Sequence, residues 1–410
     1  MNAPPFDVAI VGGGMVGASL AVALAPLGLQ VALIEAIAHD SDAQPSFDER
    51  TTALSNASRR ILETIGVWRI VSSAATPIRK IHVSDQGHFG FARIDSQSQR
   101  LDAMGYMLPN RALGRALWQR IGRIATIRVF CPAQVLQVTP GDPLVGLELA
   151  GADGTPCSLQ ARLIVAADGV QSAVRRAFGV EAESREYGQT ALITTVLPQR
   201  FHDHVAYERF TASGPLALLP LADGRCALVL TVNRADVDAV MAGTDAEFLA
   251  ELQRRFGFRL GRFLKVGRRV AYPLSLTQAL RTSAGRCAIV GNAAQSLHPV
   301  AGMGFNLGLR DAACLAEMIA DYRRDAYADA GDAALLADYD AWRAADRRAI
   351  IAFTDGLVRV FSNPLGIVRR LRNLALLAFD VLPPAKAALS RLSTGAGRRI
   401  PRLARGVPLP

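Results

Sequence analysis

Residues 6–17 read Phe6-Asp7-Val8-Ala9-Ile10-Val11-Gly12-Gly13-Gly14-Met15-Val16-Gly17, and a second strand-like run at 30–35 ends on Glu35. The apolar stretch 7–11 predicts a buried strand, 15–27 a helix and 30–35 a parallel strand, which is the βαβ opening of an α/β sheet. In that setting Gly12 permits the tight turn, Gly14 lets the backbone approach a pyrophosphate, and Gly17 lets helix and strand pack closely. The helix N-terminus then faces the diphosphate, and Glu35 accepts hydrogen bonds from the ribose hydroxyls. The pattern predicts binding of an ADP moiety but does not separate FAD from NAD.

Working outward, the 410 residues exceed one ordinary core and predict at least two domains. Residues 8–34 carry no charge, as a membrane span would, but Gly12, Gly13, Gly14, Gly17, Pro26 and Gly28 argue against a span. Five dispersed cysteines with no C-x-x-C pair suggest neither a disulfide framework nor zinc, and fit a reducing compartment. His202-x-His204 lies in a polar turn, and no metal is assigned to it.

The net charge is +10, and residues 359–410 hold ten basic side chains against one acid, Asp380. A basic C-terminal region meeting an anionic surface is therefore expected, on a body near neutrality.

The chain reads as α/β: a Rossmann-like cofactor domain with an inserted antiparallel-sheet domain and a helical C-terminal region. Helical spacing is expected over 50–71 and 108–124, whereas 78–94 and 190–232 alternate apolar with polar residues between glycine and proline turns. Strand character returns at 163–167 and 287–291. The expected division is a discontinuous cofactor domain of residues 1–75, 100–182 and 268–345, and a sheet domain of 76–99 and 183–267. C-terminal helices over 346–395 and a basic tail over 396–410 complete it.

Two further motifs bear chemistry. A buried strand at 163–167 runs into Asp168-Gly169, whose turn presents the carboxylate at the strand's C-terminal edge, where ligands of open α/β sheets bind. The second is Cys287-Ala-Ile-Val-Gly291-Asn292-Ala-Ala-Gln295-Ser-Leu-His298-Pro299-Val-Ala-Gly302-Met303-Gly304-Phe305-Asn306. Its strand delivers Asn292 to the ligand, and its glycines open a helix whose N–H groups face an anion. For a flavin that anion is the N1/C2 edge, which becomes negative on two-electron reduction.

These three motifs in this order, with Phe47-Asp-Glu-Arg50-Thr-Thr-Ala-Leu-Ser55 between the first two, resemble the FAD-dependent aromatic hydroxylases. The likeness is strongest to the ubiquinone-biosynthesis branch and, through Gly291-Asn-Ala-Ala-Gln295 and Leu297-His-Pro299, to its 2-octaprenyl-6-methoxyphenol hydroxylases. It spans essentially residues 6–395. It implies FAD as cofactor, NAD(P)H as a transient co-substrate with no βαβ domain of its own, and O2 as oxidant. The implied reaction is ring hydroxylation of a polyprenylated phenol.

Carried over by position, Arg50 resembles the arginine near the pyrophosphate and ribityl chain, Asn110 a ribityl-side ligand, and Asp168 the strand-end acid. Pro299 resembles the proline whose carbonyl lies beside flavin and substrate. Residues 302–306 resemble the flavin-edge turn. Two departures stand out: Asn292-Ala-Ala-Gln295 replaces the commoner Asp-Ala-Ala-His, and Met303 replaces the branch's glutamine, although backbone contacts there survive.

His298 has two readings: a base for the phenol, since imidazole titrates in the useful range, or a turn cap beside the flavin. Tyr207, Leu218 and Pro220 are expected to line the substrate pocket. The basic C-terminal region is read either as a peripheral contact with the inner face of the membrane, in an otherwise cytoplasmic protein, or as packing on the body, a sister subunit or a biosynthetic complex. Nucleic acid is not an expected partner, because aromatic interleaving is missing from the basic region. The competing functions are hydroxylation of a soluble aromatic and a non-catalytic flavoprotein subunit.

Overall fold

The computed structural model describes residues 4–39, 41, 50–323, 329–361, 375, 380 and 399–410. Phe47 to Glu49 lie outside these residues, as do Arg369, Arg370 and Arg372 and most of the helical pattern expected beyond Phe361.

The first sheet has a parallel centre whose strands run Cys287–Ile289, Pro156–Ala166, Phe6–Val11, Val31–Ile34 and Ile127–Phe130. Both faces are covered, so the central strands are continuous apolar runs. Helix Met15–Leu24 packs between the helices Asn110–Ile121 and Met303–Tyr322, and everything from Gly17 to Leu24 is buried. Burial on all sides explains why this segment is as apolar as a membrane span. No helix among the described residues is long and apolar enough to cross a membrane.

A second, nine-stranded sheet is antiparallel except where Val205–Thr211 runs parallel to Lys80–Asp85. Helix Asp245–Phe256 covers one of its faces through Phe248, Leu252 and Phe256, and its start carries a capping box between Thr244 and Glu247. The other face lines a cleft shared with the first sheet.

Two expected helices start later than their spacing suggested. Thr51–Ser55 is a strand, paired with Gly105–Pro109, and the helices Asn56–Thr64 and Asn110–Ile121 begin only after these strands. Ser55 caps the first of them by accepting the Ser58 N–H, and Pro109 is extended at the N-cap of the second. The apolar residues of both strands mimicked a helical face; cross-strand pairing overrides that local preference.

Residues 399–410, expected as part of a basic tail, are docked on the body. Leu403, Ala404 and Leu409 are buried in the core that covers one face of the first sheet, and Arg402 pairs with Asp321 at 2.7 Å. Apolar burial anchors this segment, and its arginine answers an acid of the chain itself.

The long helix Ala333–Phe361 clamps the two sheets together. Its Arg343 Nε donates to Asp311 Oδ1 at 2.7 Å, and Arg347 donates to the carbonyls of Ala279 and Ala294. Asp311 is fully buried, and its other oxygen accepts the Gly291 N–H and the Gln295 side-chain amide. Replacing it would leave Arg343 Nε, the Gly291 N–H and the Gln295 amide buried without their acceptor, although Asp346 still pairs with Arg343 Nη1 at 2.7 Å. Asp311→Ala is therefore expected to cost about 3–5 kcal/mol of stability, read as the shift in a denaturant midpoint with unchanged slope.

Candidate active site

The cleft between the sheets encloses about 1630 Å³. Its floor is built by backbone sterics. Gly12 has φ +107°, and a Cβ there would sit 2.3 Å from the Ala167 carbonyl oxygen; one on Gly17 would sit 2.0 Å from the Gly12 oxygen. Gly13, to which sequence reasoning gave no role, is equally constrained, because a Cβ would meet Glu35 and Trp118 at 2.9 Å. Glu35 accepts the N–H of Gly13 at 2.7 Å and of Ile37 at 2.9 Å, so it shapes the loop while its remaining lone pairs face the cleft.

Asp168 Oδ2 accepts the N–H groups of Ala173 and Val174, and thereby fixes the start of helix Ala173–Ala177. Its Oδ1 is buried without a partner among the described residues and borders the cleft. Arg50 stacks over the Tyr272 ring at 5.0 Å, and Asn110 accepts the Thr52 hydroxyl at 2.7 Å; both line the same wall.

The third motif forms the roof. Gly291 turns at φ +60° against Val16 and exposes Asn292 to the cleft. Pro299 opens a short turn that ends at Gly302, left-handed at φ +60°, where helix Met303–Tyr322 starts with no side-chain cap. Helix Met15–Leu24 likewise starts at Gly14 uncapped. Two helix N-termini thus present unsatisfied N–H groups, attractive to negative charge. Met303, Gly304 and Phe305 border the cleft, and Met303 is buried with Leu307 and Ile350.

Asn306 departs from its expected role as a cofactor ligand. Its Oδ1 accepts the Ser55 N–H and the Ser58 hydroxyl, and its Nδ2 donates to the Ala53 and Gly302 carbonyls, which exhausts the amide on the protein. It is one turn into the helix and faces the neighbouring helix, holding the turn at residues 299–302 in place.

His298 is buried, with Nδ1 accepting the Val300 N–H at 3.1 Å and its ring edge-on to Tyr187. Burial lowers its pKa to about 4, so the ring is neutral near pH 7. It is not among the residues lining the cleft; Nδ1 caps the turn, while Nε2 is buried without a partner among the described residues.

The expected substrate residues need correction. Side chains of successive strand residues point to opposite faces. Leu218 is wholly buried against the helix-covered face with Leu216 and Phe256, and neither it nor Pro220 borders the cleft. Tyr207 reaches the cleft, but its ring stands perpendicular to Phe256 at 5.4 Å. The cleft wall is made instead by their neighbours Ala206, Glu208, Phe210, Ala217 and Leu219, facing Phe353, Leu357 and Phe361 of the long helix. A period-two count from either end of the strand gives the two faces; only packing says which one is the cleft.

A glycine cradle that any Cβ would fill, two uncapped helix starts and the orphaned Asp168 oxygen all fit the diphosphate, ribose and isoalloxazine of FAD. This geometry defines a dinucleotide-binding flavoprotein with an apolar second chamber.

Comparison with known proteins agrees. A family model described as FAD binding domain matches residues 5–354. Ubiquinone hydroxylase UbiL of Rhodospirillum rubrum is 40% identical, over 98% of this chain and 93% of its own length. The 3-demethoxyubiquinol 3-hydroxylase of Escherichia coli is 33% identical, over 93% of this chain and 96% of its own. The crystal structure of p-nitrophenol 4-monooxygenase PnpA from Pseudomonas putida shares the fold, with TM-score 0.80 and 19% identity over 98% of this chain and 100% of that one. The chain belongs to the FAD binding domain family and, within it, to the ubiquinone-hydroxylase branch of FAD-dependent monooxygenases.

Two outcomes follow from the geometry. Gly12→Val is expected to lose the flavin absorption bands and to lower the thermal midpoint read by circular dichroism, because its side chain would collide with the Ala167 backbone at a φ that L residues rarely adopt. For His298, the folded pKa lies below the ordinary 6.5, so the unfolded state takes up the proton first; stability is complete above pH 6.5 and declines as pH falls towards 4. His298→Asn, which keeps an acceptor for the Val300 N–H, should remove on the order of 2–3 kcal/mol of that decline relative to the unsubstituted protein and retain bound FAD.

Proposed function

We propose that this chain is an FAD-dependent monooxygenase that uses NAD(P)H and O2 to hydroxylate the ring of a polyprenylated phenol in ubiquinone biosynthesis. The observation that carries this is the continuity of the cleft, in which the glycine cradle, the turn at residues 299–305 and an apolar chamber border one volume. Bound FAD supplies electron transfer from NAD(P)H and activation of O2.

The protein's part is to bind, orient and exclude water. Gly12, Gly14 and Gly17 shape the diphosphate site, Glu35 takes the ribose, and Arg50, Asn110, Asp168 and Asn292 hold the middle of the cofactor. The N–H groups at residues 303–305 favour negative charge on the flavin edge. Pro299 borders the cleft between that edge and the chamber, its carbonyl accepting the Gly302 N–H at 2.9 Å and closing the turn. Phe210, stacked on Phe361 with ring centres 3.5 Å apart, keeps the chamber wall dry.

An apolar chamber of this extent favours a prenylated ring over a small soluble aromatic. The positive charges of residues 362–398, rather than the docked Arg402, supply peripheral contact with an anionic membrane surface, where such a substrate resides. NAD(P)H binds transiently at the cleft mouth.

Purified FAD-loaded protein, given NAD(P)H, a 2-prenylphenol and isotopically labelled dioxygen, is expected to release a hydroxylated phenol carrying one labelled oxygen. In cells lacking the chain, the quinone pool should fall and an under-hydroxylated prenylphenol accumulate. NAD(P)H consumption that yields only hydrogen peroxide with every prenylphenol tried, together with an unchanged quinone pool, overturns the reading.

A further inference from the structure

On the cleft face of the second sheet, the strand Val205–Thr211 turns Ala206, Glu208 and Phe210 inward. Glu208 is the exception on an apolar surface. Its cross-strand neighbours are Ala217 on one side and Val83 on the other, and both border the cleft. Ala206 belongs to one small apolar cluster with Ile94 and Met107, while Phe210 belongs to another with Val300 and Phe361. The carboxylate lies between the two, about 7 Å along the strand from each neighbour. Because Val300 follows Pro299, the second cluster ties this part of the wall to the flavin-edge turn.

No hydrogen bond or ion pair links the Glu208 side chain to any described residue. The adjacent Arg209 points to the other face, where it bonds the Arg255 carbonyl and the Ser84 hydroxyl. The long helix contributes only apolar side chains to the cleft, and the turn at 299–305 carries no charge. The other charged groups bordering the cleft are Glu35, Arg50 and Asp168, in the cofactor cradle. An unpaired carboxylate in such a bed costs stability that an alanine or leucine would not. A ligand that donates a hydrogen bond at that point would offset the cost.

We propose that Glu208 is the acceptor for the substrate's phenolic hydroxyl, orienting the ring against the flavin-edge turn and taking its proton as hydroxylation proceeds. This inference rests on the prenylphenol reading above and names the group that recognises the phenol. In the step, the phenol O–H bond breaks with its electron pair left on oxygen, and the proton forms an O–H bond with Glu208. The resulting phenolate donates electron density to its ortho and para carbons, which makes the ring a better nucleophile. Withdrawal from bulk water raises the Glu208 pKa to about 7, so the carboxylate form gains population as pH rises through neutrality.

The test uses the full FAD-loaded chain with 2-geranylphenol and its O-methyl ether as probes. Binding is read from the perturbation of the bound-flavin spectrum. The unsubstituted protein is expected to prefer the phenol over the ether by at least about tenfold, and Glu208→Leu, which suits its apolar neighbours, to lose that preference while retaining FAD. Product formation should rise with pH through about 7 in the unsubstituted protein. In Glu208→Gln the rate should fall at least about tenfold and that rise should disappear, with flavin reduction by NAD(P)H unaltered.

Equal binding of phenol and ether by the unsubstituted protein, or a preference that survives in Glu208→Leu, overturns the assignment. A pH rise and rate unchanged in Glu208→Gln overturn the proton-accepting role. A preference that depends on Glu208 without any product supports the recognition of the hydroxyl and counts against the hydroxylase reading instead.

Discussion

The carboxylate of Asp311 is the junction on which the arrangement of the site depends. It lies in the helix Met303–Tyr322, fully out of water, and takes donors from three directions: the Gly291 backbone at the end of a central strand, the Gln295 amide, and the Arg343 guanidinium of the long helix. An ion pair in the interior is stable only when its remaining hydrogen-bonding capacity is met. The three donors meet the capacity of Asp311 itself, while Arg343 Nη2 and Gln295 Oε1 stay buried without a partner among the described residues. Together the donors fix the strand end, the start of the segment after it and the long helix relative to one another. Gln295 supplies the donor this junction needs without adding a titratable charge.

From that junction the cleft acquires two chemically different halves. The cofactor half is made mainly of backbone: glycines that exclude any Cβ, and helix starts at Gly14 and Gly302 with no side-chain cap. Side-chain caps would have competed with a ligand for the same N–H groups. Asn306 illustrates the complementary device, since a polar group near the ligand is spent entirely on holding the turn. The other half is a sheet face and a helix face meeting across an apolar space, where a hydroxyl-bearing ring has few polar groups to find. Such contrast lets one volume hold a charged cofactor and a lipid-like substrate side by side.

Much of this was legible in the residues. The turn at Gly12, the close packing at Gly17 and the strand-end position of Asp168 follow from backbone sterics and hydrogen bonding within short stretches of chain, and so a linear reading reaches them. The helical periodicity of 50–71 and 108–124 misplaced two starts, because the short strands there owe their conformation to each other rather than to their own residues.

The sequence by itself determined the α/β opening, the family of the cofactor site and the alternation of the second sheet. Tertiary structure alone decided which face of that sheet meets the cleft, which is why Leu218 proved to be core and Glu208 proved to be wall. It also decided that Asn306 is spoken for, by a Ser55 N–H 251 positions away, and that the last residues pack on the body. The physical reason is the same in each case. Side-chain direction along a strand has a period but no sign until another element covers one face, and a polar group's partner is unknown until distant segments have met.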